Sequence, residues 1–106
     1  MSEVVSRLGE VASGTSYTAG NDIFSTDLVN PRWGALRLCV CTSAAAVPYV
    51  RYNSVNMELN AGAVIGADDI STFVFALPAG VSFNLRLSAS GTIRTLTIDY
   101  VPGAVT

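Results

Sequence analysis

Val81-Ser82-Phe83-Asn84-Leu85-Arg86-Leu87-Ser88 alternates apolar and polar residues without a break. In an extended strand a period of two places Val81, Phe83, Leu85 and Leu87 on one face and the polar residues on the other. On a helix the same apolar residues would scatter around the axis, so the segment reads as a half-buried strand. The flanks agree. Pro78-Ala79-Gly80 just before it is turn chemistry, and Ser88 to Gly91 makes the next turn. Upstream, Ile70-Ser71-Thr72-Phe73-Val74-Phe75-Ala76-Leu77 is a nearly continuous apolar run, which reads as a strand covered on both faces. Downstream, Thr92 to Val101 reads as a long final strand. Its alternation shifts between Ile93 and Leu96, which predicts a bulge or a change of sheet.

The same reading extends toward the N-terminus. Gly34 to Ser43 is predicted as a strand, with Leu36, Leu38 and Val40 on one face and Arg37, Cys39 and Cys41 on the other. Val47 to Asn53 is a second, with Pro48 near its start as an edge position permits. Val4 to Val11 and Ile23 to Leu28 are further candidates, separated by a loop over Gly14 to Asn21. Short strands are expected at Met57 to Leu59 and Ala63 to Ile65, around Asn60-Ala61-Gly62, and Asp68-Asp69 is a turn. No segment has helical periodicity. Seven to nine short strands at regular spacing predict an all-β fold: an antiparallel β-sandwich, jelly-roll-like. The expected organisation is an N-terminal arm or first strand over 1–13 and a single β-sandwich domain over 14–106.

Composition narrows function mainly by exclusion. Of 106 residues, 50% are hydrophobic and only 13% charged, against about 25% in an ordinary soluble domain. No Lys, His or Gln is present, and the positive charges are Arg7, Arg32, Arg37, Arg51, Arg86 and Arg94. Dispersed arginines and a net charge of −2 argue against nucleic acid, which needs clustered cations. No stretch approaches the roughly 20 apolar residues of a membrane helix. Met1 to Val11 lacks the apolar centre of a secretory signal, so synthesis in a cytoplasm is expected.

Without His the usual general base and commonest metal ligand are missing, and without Lys so is amine nucleophile chemistry. Asp68-Asp69 falls far short of the six to eight oxygens calcium takes. Gly14-Thr15-Ser16-Tyr17-Thr18 begins like a nucleophile elbow but lacks the second Gly and a His partner. Cys39 and Cys41, two apart in a strand, share a face at a spacing awkward for a disulfide and read as packed free thiols. The chain is therefore expected to be no enzyme, with no cofactor and no metal.

A surface this poor in charge predicts burial against other chains. Soluble β-proteins commonly guard open sheet edges with Lys; here protection has to come from Arg, Pro, closure or pairing with another chain. The interface candidates are Val4, Val5 and Leu8 on the amphipathic N-terminal segment, Arg32 and Trp33 on the turn after Asn30-Pro31, and Tyr49 and Tyr52. These two tyrosines lie three apart in one strand and so point to opposite sides. The expected partners are further copies of the chain. A glycan stacked on Trp33 and nearby Tyr is the alternative.

Gly14-Thr15-Ser16-Tyr17-Thr18-Ala19-Gly20, Leu59-Asn60-Ala61-Gly62-Ala63 and Phe73 through Val101 carry a resemblance. The last includes Leu77-Pro78-Ala79-Gly80-Val81-Ser82-Phe83-Asn84-Leu85-Arg86 and Gly91-Thr92-Ile93-Arg94. In strand pattern and low charge the chain resembles small β-sandwich structural proteins of bacteriophage virions. The resemblance implies a jelly-roll subunit of a capsid, decoration or cement layer, or of a tail or spike. Such a subunit functions by self-association and contact with other virion shell proteins, resides in the virion after synthesis in the host cytoplasm, and has no catalytic residues to carry over.

Overall fold

The computed structural model describes residues 6–30 and 35–101. Within them lie β1 (Ser6–Val11), β2 (Ser16–Tyr17), β3 (Leu28–Val29), β4 (Ala35–Thr42), β5 (Pro48–Tyr52), β6 (Val55–Glu58), β7 (Ser71–Phe75), β8 (Ser82–Leu87) and β9 (Gly91–Val101). Among the described residues the single helical element is one 3-10 turn over Asn60–Gly62.

Pairing proceeds by nesting. β5 pairs with β6, β4 with β7, β3 with β8 and β1 with β9, every pair antiparallel, so the chain is a two-stranded ribbon doubled on itself. Winding the ribbon brings β4 against β9 and β5 against β8. These contacts close one sheet in the order β1-β9-β4-β7 and another in the order β3-β8-β5-β6. β2 also pairs with β9, at Gly91 and Thr92, beyond the stretch held by β1. β1 and β2 thus form one edge strand broken by a turn. Counted so, the eight strands have the order of a jelly roll, the β-sandwich the alternation predicts.

The core lies between the sheets. Leu36, Leu38 and Val40 of β4 and Leu96, Ile98 and Tyr100 of β9 face Val50 of β5 and Phe83, Leu85 and Leu87 of β8, all buried. The rings of Phe75 and Phe83 meet edge to face with centroids 6.4 Å apart. Gly9 sits where β1 crosses the core. A Cβ there would stand 2.9 Å from the Phe24 ring and 3.2 Å from the Leu28 side chain, so any larger residue would have to push these two aside. The irregularity expected between Ile93 and Leu96 is a bulge: Cys41 opposes Thr95, Thr42 opposes Ile93, and Arg94 is the extra residue.

Four expectations are corrected. Ile70 to Leu77 is not covered on both faces. Among the described residues β7 has one neighbour, β4, and its Thr72 and Val74 are exposed while Ser71, Phe73 and Phe75 face inward, half-buried. Ile23 to Leu28 is not a strand except at its end. It is a loop beside β8, with the Ile23 N–H on the Leu85 carbonyl at 2.8 Å and the Phe24 N–H on Asn84 Oδ1 at 3.0 Å. Pro48 opens an interior strand rather than an edge one, because β5 has neighbours on both sides; a first position requires no ladder N–H. Ala63 to Ile65 forms only an isolated bridge, Ala46 to Ile65. From Ser6 onward the N-terminal segment is the first strand of its own sheet, the alternative to a free arm.

Candidate interaction surfaces

The outer face of the larger sheet is organised by strand register. Arg7 of β1, Asp99 of β9, Arg37 of β4 and Val74 of β7 stand in one row across the sheet. Asp99, only 5% exposed, accepts from Arg7 Nε and from Arg37 Nη2, the latter at 3.3 Å. Hydrogen bonding to Asp99, then its charge, raises the Arg7 pKa. At the bulge, Arg94 turns toward the Asp68 turn and reaches Asp68 Oδ1 at 3.0 Å. Cys39 and Cys41 are both free; burial and then the nearby Asp68 push the Cys41 thiol up.

On the smaller sheet the loop before β3 is clasped down by charge. Arg51 of β5 grips Asp22 through two bonds, Nε to Oδ1 at 2.9 Å and Nη2 to Oδ2 at 3.1 Å, and reaches Asp27 at 2.6 Å. Arg86 of β8 donates to Asp22 at 2.8 Å. Asn84, buried under the loop, donates to the Phe24 carbonyl and to Asp27. The two guanidiniums, Arg51 before Arg86, outweigh desolvation and hold the Asp22 carboxyl below its ordinary range. Arginine is thus used within the chain: Arg7, Arg37, Arg51, Arg86 and Arg94 each have a carboxylate of the same molecule.

Beside this clasp, an open depression of about 250 Å³ is lined by Tyr49, Asn56 and Glu58. Register places it: Glu58 lies directly across from Tyr49, which lies across from Arg86, and Asn56 is on the same face of β6 as Glu58. Tyr49 therefore faces outward, whereas Tyr52 packs against the core. Leu8 also packs against the core and is half-buried. Val4, Val5, Arg32 and Trp33 lie outside the described residues. Among the described residues no three His, Cys, Asp or Glu side chains come together as metal ligands, and no helix is long and apolar enough to cross a membrane.

Among the described residues the four sheet edges differ sharply in how they are guarded. β1 carries Arg7, Glu10 and a register shift between Arg7 and Gly9, and a turn separates it from β2. β3 is two residues long. β6 has four residues and ends on Glu58. β7 has five residues with no charge, no proline and an unbroken register with β4. Its flank is apolar: Val74 is 66% exposed and Ile70, just before the strand, 72%. Charge, proline, bulges and shortness are the usual edge devices, and β7 lacks all but modest length. Sequence reading missed this edge because the apolar run that marks it also fits a buried strand.

Compared with known proteins, the chain matches no family model, no curated protein and no solved structure.

Proposed function

We propose that the chain is a structural subunit that works by self-association, as a capsid, decoration or cement protein of a virion shell. The observation that carries the reading is the unguarded β7 edge with Ile70 and Val74 exposed beside it. A free strand edge is a row of unsatisfied N–H and C=O groups, and a flanking apolar strip adds area to whatever pairs there. The arginines support the same reading by their engagement: with five of them paired internally, association rests on backbone pairing and apolar contact rather than on ion pairs. The jelly-roll strand order is one that shell proteins use, though lectins use it too.

Sedimentation velocity and light scattering on the purified chain test the association, with dimers or larger species expected. Immunogold labelling of particles from a producing culture tests the virion assignment. Label on the particles supports it, and label confined to the soluble fraction overturns it.

The depression favours a second reading, a glycan- or receptor-binding module. Tyr49 offers an aromatic surface, Asn56 and Glu58 offer hydrogen-bonding groups with no partner among the described side chains, and the neighbouring cations are engaged. That set suits an uncharged, hydroxyl-rich ligand. Binding on a glycan array that disappears in Tyr49→Ala would favour it.

A further inference from the structure

We propose that two copies join through β7, antiparallel and about a two-fold axis at Phe73, so that their larger sheets become one continuous sheet. This rests on the self-association reading and names its contact. Pairing about Phe73 sets Phe73 opposite itself, Thr72 opposite the partner copy's Val74, and Ile70 opposite its Ala76. Three features of the strand suit this register.

The first is side-chain complementarity. Thr72 and Val74 are both β-branched and both on the outer face, and each would be the direct cross-strand neighbour of the other. Val74 of one copy would also lie diagonal to Ile70 and Val74 of the second, gathering the exposed apolar groups of this edge into one strip. On the inner face Phe73 and Phe75, half-buried at the rim of the core, gain a covered flank.

The second is charge. Ser71 to Phe75 carries none, and the nearest acid, Asp69, would oppose the partner copy's Leu77. The two Asp69 residues would then stand about eight residues apart along the paired strands, roughly 27 Å, so the contact brings no like charges together. The third is closure. Among the described residues, a two-fold contact consumes the one unguarded edge on each copy and leaves outward only edges that are bulged, charged or short. The product is a closed dimer rather than a growing fibre. Pairing β7 with another copy's β1 would set it against Arg7, Glu10 and the bulge.

The test uses the full chain in two experiments. In sedimentation velocity, Val74→Lys is expected to raise the dimer dissociation constant by about 100-fold, roughly 2.8 kcal/mol; an unchanged circular dichroism spectrum is expected because residue 74 is exposed. In the second, all chains carry Cys39→Ser, since Cys39 stands opposite Thr72 within one molecule. Thr72→Cys and Val74→Cys chains are then oxidised separately and mixed. Direct opposition allows a disulfide, and an offset of two residues does not, so the mixture should cross-link far more than either chain alone. A wild-type chain that stays monomeric at about 100 µM overturns the self-association reading together with this one. Association that survives Val74→Lys, or cross-linking no greater in the mixture, leaves self-association standing and overturns the β7 contact.

Discussion

At the scale of single residues, Asp22 gathers more consequence than its sequence context suggests. Its pKa is lowered by Arg51 and Arg86, so the ionised carboxylate is favoured in the folded chain. A carboxyl whose folded pKa lies below its unfolded value of about 3.9 contributes stability above that pH and loses it as pH falls through the lowered value. The contribution of this carboxyl to stability should therefore be constant from neutral pH to about 5 and then decline, and Asp22→Asn should make the acid decline shallower. Urea titrations at pH 3 to 7 on both chains would show it. Gly9 offers a second check. Gly9→Val should destabilise by about 1–3 kcal/mol, the usual cost of overpacking, because its side chain would meet Phe24 and Leu28. Some of this was legible in the sequence and some was not. Phe83, Leu85 and Leu87 announce their burial by alternation. Asn84 sits on the polar phase of the same alternation yet is buried, because a loop some 60 residues earlier in the chain folds over it and bonds to it. No local pattern encodes that cover.

At the scale of elements, the β5–β6 hairpin turns through Asn53 and Ser54, both left-handed at φ 48° and 62°. Two residues of positive φ make the turn that matches strand twist, and Asn-Gly fits it best. Ser54→Gly should accordingly stabilise the fold by about 0.5–1 kcal/mol, the relief of a left-handed non-glycine residue less the added unfolded-state entropy. Thermal denaturation would measure it. In β8, Phe83→Ala should cost about 3–5 kcal/mol, since Phe83 is fully buried against Phe75. Elements are legible wherever side chains alternate, as in β4, β8 and β9, where even the bulge near Arg94 leaves its mark as a break in phase. β7 is legible as a strand from its apolar run, but the number of its neighbours is not. Whether a strand has one neighbour or two is decided by the order in which the ribbon winds, and Ser71 to Phe75 contains no record of that order. Ile23 to Leu28 reads as a strand in sequence because Ile23, Phe24 and Leu28 are apolar, yet only Leu28 belongs to one. Ile23 and Phe24 pack on the core from irregular backbone, with their N–H groups satisfied by Leu85 and Asn84.

At the scale of the whole molecule, charge scarcity was the signal that pointed toward assembly, and it was legible from composition alone. The edge carrying the proposed contact became visible only once the sheets were closed. Removing residues 1–11 should do more than alter association, because Leu8 and Val11 pack on the core. A loss of about 1.5–3 kcal/mol is expected from their partial burial alone, read as a lowered unfolding midpoint. The nesting of the ribbon also bears on how the molecule is made. β9 lies at the centre of the larger sheet, between β1 and β4, yet it is the last of the nine strands to be synthesised. Until it emerges, β1 has no partner in the larger sheet and β4 has only β7. The larger sheet must therefore assemble after β9 is translated, and until then the apolar face of β4 and the open β7 edge are available to whatever else the cell contains, chaperones and sister chains included.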